Sequence, residues 1–254
     1  MLRKILIVVG VLVLAIVAFA GSVGIAYMGT VPAKDGTILP GMARLVQDGF
    51  VNLYILPGSA GHVVLVDCGQ DTQAKALAAA LKAQGLGLDA VEAVLITHGH
   101  PDHIGGCSAL PNAKLYSLDK EADAIEGKAV IPGFMSSMTM AKPAPTGLKV
   151  SERLSDGQTI SIGGLNVKVF AVPGHTPGSA AYLAGGTLYI GDAGSATSDG
   201  KFKSGPWIFN SDAAERAASL KALAARLAQE KDDVQMIATG HTGPAPASTL
   251  SSLN

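Results

Sequence analysis

Three observations predict an α/β domain carried behind an N-terminal apolar helix. Arg3 and Lys4 precede an uncharged run over residues 5–28. Beyond it, two successive stretches repeat one order of short strands, a helix and a further strand. In the first stretch the apolar strand Val94-Leu95-Ile96 delivers a dense polar cluster, Thr97-His98-Gly99-His100-Pro101-Asp102-His103-Ile104-Gly105-Gly106.

The apolar run is long enough for a helix across a hydrocarbon layer of about 30 Å. Ala18-Phe19-Ala20 before Gly21 also fits a signal-cleavage pattern, but the run continues through Met28, which favours an uncleaved transmembrane helix over a removed signal segment. Arg3 and Lys4 keep the start of the chain cytoplasmic and put the remainder outside, periplasmic or extracellular; cleavage would instead make it a secreted protein. Residues 31–40, with two prolines, Gly36 and Lys34-Asp35, read as a linker, and residues 41–254 as the domain. With 48% hydrophobic residues, a chain of this length buries a substantial core. The net charge of −1 and the scattered basic residues argue against a nucleic-acid surface.

Residues 42–47, 51–56 and 63–66 read as strands separated by turn residues. A helix over 72–84 follows, with Asp71 as N-cap and Gly85 as stop, and then a buried strand over 91–97. Residues 114–117 suggest a strand and 119–126 a short helix. Residues 127–147, with Met135, Met138 and Met140 at no clear period, read as a long loop suited to varied apolar ligands or packed on its own domain. Strands are predicted at 158–162, 165–171, 180–184 and 187–190, turned by Gly163-Gly164 and Gly185-Gly186. Ser211 is the expected N-cap of a helix over 212–229 with Leu220, Leu223 and Leu227 on one face. A last strand over 234–239 ends at Gly240-His241. Trp207 and Phe209 either line an apolar wall or pack beneath their loop.

The cluster carries the chemistry. On an extended backbone, residues two apart point to the same side, so His98 and His100 can share one ion. Pro101 opens a helical turn that swings Asp102 and His103 toward a second. A lone histidine is usually solvated or satisfied by a hydrogen bond, whereas this spacing is the mark of a metal site. Four residues cannot complete two such sites. The remaining donors stand beside glycines at other strand ends: His175 in Pro173-Gly174-His175-Thr176-Pro177, Asp192 in Ile190-Gly191-Asp192, and His241 in Gly240-His241-Thr242. His62 lies on a hairpin turn and is expected to be exposed. Cys68 and Cys107 form no metal or redox pair; a single bridge between them stays open.

Taken together, His-x-His-x-Asp-His, Gly-His-Thr-Pro-Gly-Ser, Gly-Asp and a late Gly-His resemble the metallo-β-lactamase-fold hydrolase superfamily over residues 41–246. The resemblance implies a four-layer αβ/βα sandwich with metals at one edge. It implies that His98, His100 and His175 hold the first ion, that Asp102, His103 and His241 hold the second, and that Asp192 bridges them. Asp67 matches a position that orients a ligand. Two zinc ions are the default, with iron or manganese open. The expected reaction is attack of activated water on a small-molecule ester, thioester or lactone, with Asp102 orienting the water and Asp192 holding the ions together. The motif is nearest to glyoxalase II-like hydrolases, although the chain ends soon after His241, where those enzymes carry a helical region. Asp192 disfavours β-lactam hydrolysis, Ser195 stands where acyl-homoserine lactonases carry tyrosine, and Cys107 where many relatives carry asparagine. Two other classes stay open: an iron oxidoreductase resembling persulfide dioxygenases, and a membrane-tethered module that binds metal without catalysis.

Overall fold

The computed structural model of the protein describes residues 2–139 and 142–253; Met140, counted above in the Met-rich loop, lies outside them. The apolar run forms α1 (Leu2–Tyr27). Residues 31–40 do not run free of the domain. Val31 N–H donates to Ala196 O, Gly36 N–H to Leu45 O, and Leu39 is buried.

The first half supplies β1 (Arg44–Asp48), β2 (Val51–Pro57), β3 (Val63–Val66), α2 (Lys75–Lys82), β4 (Val91–Leu95), the single turn α3 (Pro101–Ile104), β5 (Lys114–Leu118), α4 (Asp119–Ile125), α5 (Phe134–Thr139) and β6 (Val150–Leu154). Its six strands lie in sequence order, the β1–β2 and β2–β3 pairs antiparallel and the others parallel. The second half supplies β7 (Thr159–Ile162), β8 (Leu165–Ala171), β9 (Ala180–Ala184), β10 (Thr187–Tyr189), the small ribbon β11 (Ser195–Ala196) and β12 (Phe202–Lys203), α6 (Ala213–Glu230), β13 (Met236–Ala238) and β14 (Ala245–Pro246). Its main sheet runs β14-β13-β10-β9-β8-β7.

Strand alternation builds the layers. Ala93 and Leu95 of β4 face the second sheet, where Val167 and Val169 of β8 meet the same core. The intervening Val94 and the following Ile96 pack outward with Leu77 and Leu81 of α2. Phe170 and Val172 pack outward against Leu220, Leu223 and Leu227 of α6. Two sheets face to face with helices on both outer faces make the expected αβ/βα sandwich.

Several boundaries differ from the sequence reading. The helix expected over 72–84 begins only at Lys75, because Asp71 holds the preceding turn by accepting from Gln73 N–H and Lys75 N–H, and Ala74 (φ 48°) occupies the N-cap. Asp212, not Ser211, caps α6 by accepting from Ala214 N–H and Glu215 N–H; Ser211 donates to Pro132 O. Within residues 127–147 the loop contains α5. Strand β6 has no alternating pattern, its three central residues being exposed, and is held by parallel pairing to β5.

The C-terminal end of α1 is fastened to the domain. Lys203 Nζ donates to Ile25 O and Met28 O, at 3.2 and 2.8 Å, which sets a cation against the carbonyls at the helix end. Ser198 N–H donates to Gly29 O, and Gly243 N–H to Val31 O.

Candidate metal centre

Every turn that carries a sequence-predicted donor leaves the carboxyl end of a strand: Asp67 after β3, the cluster after β4, His175 after β8, Asp192 after β10 and His241 after β13. The structure brings all seven predicted ligands together. His62 is exposed on its hairpin, as expected.

In one group, His98 Nε2, His100 Nδ1 and His175 Nε2 approach one another at 2.9 to 3.1 Å. These contacts cannot all be hydrogen bonds. His98 Nδ1–H donates to Thr97 Oγ1 and His175 Nδ1–H to Asn210 Oδ1, so both Nε2 atoms present lone pairs. Three nitrogens with at most one proton among them converge on one point, an arrangement that a cation stabilises.

The second group contains Asp102, His103 and His241. Asp102 Oδ2 lies 3.7 Å from His103 Nε2 and 3.4 Å from His241 Nε2. Asp192 reaches both groups: its Oδ1 is 3.4 Å from His103 Nε2, and its Oδ2 is 2.9 Å from His241 Nε2 and 3.5 Å from His175 Nε2. His103 Nε2 and Asp192 Oδ1 are buried without a hydrogen-bond partner. Two facing polar atoms left unpaired inside a protein are costly, and an ion between them removes that cost. The donor set, nitrogen and carboxylate throughout, fits zinc and other divalent cations.

The outer nitrogens fix the ring orientations. His103 Nδ1–H donates to Asp67 Oδ2 at 2.8 Å, and His241 Nδ1–H to Phe50 O at 2.9 Å. Asp67 also accepts from Thr97 N–H and Thr97 Oγ1–H, and so couples the ends of β3 and β4. Partners of this kind set tautomer and ligand basicity. Glycine is required before His241, because a Cβ at Gly240 would fill the space between Asp192 Oδ1 and the His103 ring.

Electrostatics divides the two groups. Burial, reinforced by the neighbouring histidines, holds His98 and His175 well below the usual imidazole range and lowers His100 to about 4. These three are neutral at pH 7. Burial opposes charge on His103 and His241 too, but Asp192, with Asp67 and Asp102 for His103, outweighs it and raises both. Asp192 is itself buried, yet His241 and His103 hold its carboxyl well below the ordinary range.

Sequence reasoning missed Glu121. Buried in α4, it accepts from Gly99 N–H through one oxygen and from Gly178 N–H through the other, at 2.8 and 2.9 Å. One carboxylate thereby ties the His98-Gly99-His100 turn to the turn after His175. A signal existed: Glu121 falls with Ala122 and Ile125 on the buried face of α4, where a carboxylate needs a reason. Asn210 and Arg216 form a second unforeseen support, with Arg216 Nη1 donating to Asn210 Oδ1 and Arg216 Nε to Ala193 O.

The cysteines are joined as Cys68–Cys107, with Cα atoms 5.2 Å apart. The bridge lies against the centre: Cys68 follows Asp67, and its N–H donates to His103 O at 2.8 Å.

A search among known proteins matches residues 46–241 to the family described as the metallo-beta-lactamase superfamily. A hydroxyacylglutathione hydrolase of Photobacterium profundum is 32% identical over 177 residues, 68% of this chain and 56% of that protein. One of Aeromonas hydrophila is 33% identical over 168 residues, covering 65% and 52%. The chain thus spans little more than half the length of these relatives. Among solved structures, a metallo-beta-lactamase family protein of Thermus thermophilus superposes with a TM-score of 0.58 at 26% identity, covering 84% of this chain and 77% of that one. The B3 metallo-beta-lactamase BLEG-1 gives 0.59 at 25%, covering 82% and 95%.

Proposed function

The chain belongs to the metallo-β-lactamase superfamily, and on that premise we propose that it is a metal-dependent hydrolase with a dinuclear centre, zinc by default, that cleaves an ester, thioester or lactone. The observation that carries this reading is Asp192, whose carboxylate reaches both groups of donors, Oδ1 toward His103 and Oδ2 toward His241 and His175. His98, His100 and His175 would hold one ion, Asp102, His103 and His241 the other, and Asp192 both. The relatives called hydroxyacylglutathione hydrolases favour a thioester among the three bonds. Seven donors in two adjoining groups support a pair of ions over a single iron.

When bound, a pair of divalent ions supplies an acidified water and polarises a carbonyl. The chain's own residues do the rest. Asp102, partly open to the cavity, is placed to accept and orient a water proton. Asp67, Asn210 and the Phe50 carbonyl keep three imidazoles in one tautomer, and Glu121 holds two of the histidine turns in register.

The same reading makes α1 an uncleaved anchor and sets residues 41–254 outside the cytoplasm. Support comes from the 24-residue apolar stretch Lys4–Tyr27, and from a disulfide that uses both cysteines, since such bridges persist in oxidising compartments. Metal analysis of the purified full chain, with a screen of thioesters, esters and lactones, tests the proposal. About two equivalents of zinc and hydrolysis of at least one class are expected. One iron per chain with oxygen uptake would favour the oxidoreductase, and bound metal without turnover the non-catalytic module.

A further inference from the structure

The domain alone does not wall the cavity at the metal centre. This space of about 1010 Å³ is lined by His100, Asp102 and His241, and also by Val23 and Tyr27 from the last turns of α1. The Tyr27 ring meets the His241 ring edge-on at 6.3 Å. Lys203 and the backbone bonds at Gly29 and Val31 hold α1 there, so its place beside the opening is built into the fold.

Exposed apolar side chains gather around the same opening. Phe50 and Phe209 line the cavity while remaining 63% and 37% exposed. Next to Phe209, Trp207 is 60% exposed, and Phe134 of α5 packs against it with ring centroids 5.4 Å apart. Large aromatic groups concentrated on one rim mark a surface that meets something apolar, and tryptophan favours the boundary between water and lipid. Along α1 itself, Leu14, Ile16, Val17 and Ile25 are all more than 60% exposed. At 1.5 Å per residue the stretch Lys4–Tyr27 is about 36 Å long, against a hydrocarbon core of about 30 Å. Val23 and Tyr27 therefore come at the outer boundary of a bilayer that α1 crosses, and the cavity opens at that level.

We propose that the substrate is a long-chain acyl ester or thioester resident in the membrane, its acyl chain lying between the end of α1 and the Phe50–Phe209 wall and its carbonyl at the histidine and aspartate donors. This deepens the hydrolase and anchor reading above and rests on it. The reaction consumes one water. Its oxygen bonds to the acyl carbon, the carbon–oxygen or carbon–sulfur bond breaks, and a proton passes to the departing alcohol or thiol.

The test uses the full chain reconstituted into phosphatidylcholine vesicles, with acetyl, hexanoyl and palmitoyl thioesters and esters as probes. Each methylene that enters the apolar wall is expected to raise kcat/KM about fourfold, so hexanoyl should exceed acetyl by roughly 100-fold or more. Palmitoyl substrate embedded in the vesicle should be turned over at least as well as hexanoyl. A second readout does not depend on activity: Trp207 is the single tryptophan of the chain, and lipids brominated near the headgroup should quench at least half of its emission. Acetyl substrates cleaved as well as the longer ones would overturn the proposal and leave the hydrolase standing. Unquenched Trp207 would overturn the placement of the cavity at the bilayer. Cleavage of no member of the series would overturn the hydrolase reading and this substrate class with it.

Discussion

At the scale of single residues, the centre depends on where charge and space are withheld. Asp192→Asn keeps the shape of the side chain but removes the negative charge facing His103 and His241. Metal titration should show one of two sites weakened, with a large loss of rate and native circular dichroism; two equivalents at unchanged affinity and full rate would remove Asp192 from the bridge. Gly240→Ala should act by volume, since its Cβ enters the space beside Asp192 and His103. It is expected to displace the second ion more than the first, read by metal content after dialysis. Glu121→Gln retains one good acceptor and turns an amide group toward the other backbone N–H. We expect a 10–100-fold loss in metal affinity or kcat, the usual effect of residues that orient ligands, and equal values in both proteins would make Glu121 a packing residue only. The donors were legible in the sequence because each is a metal-ligating residue type in a glycine-bearing turn that follows an apolar strand. Glu121, Asn210 and Arg216 were not, because their partners are distant backbone and side-chain groups that only the folded chain brings close.

At the scale of elements, the bridge Cys68–Cys107 joins the end of β3 to the segment just past α3, and so braces the turn that carries His103. Closing a loop of 39 residues removes unfolded-state entropy worth about 4 kcal/mol in the chain-entropy model. The double variant Cys68→Ser/Cys107→Ser should be destabilised by roughly 2–4 kcal/mol in urea; a loss below about 0.5 kcal/mol would mean that the bridge is incidental. The apolar strands and α6 could be read from periodicity, since one face or both faces of each are buried. Elements without that pattern could not. Strand β6 presents three exposed residues in a row, α5 is only six residues long, and β11 and β12 are two residues each. What holds them is pairing and packing, which leaves no periodic trace. Caps were misplaced by one to three residues, because Asp71 organises a turn before its helix instead of capping it.

At the scale of the whole molecule, α1 and the domain are joined at one end, yet no buried core residue precedes Leu39 among the described residues. A chain beginning at Gly29 should therefore fold, bind the same equivalents of zinc and melt within a few degrees of the parent; recovery of metal-free aggregate would mean that α1 is needed for folding. What it loses is the cavity wall formed by Val23 and Tyr27. The disulfide bears on the whole molecule as well. With both sulfurs locked together, no cysteine thiolate stands beside the nitrogen and oxygen donors of the centre, and a thiophilic ion such as Cu(I) is denied the cysteine ligands that would draw it there. A chain that folds under reducing conditions instead carries the thiol of Cys68 one residue from Asp67 and that of Cys107 four residues from His103. Oxidation before loading thus takes both thiols out of competition for the ion.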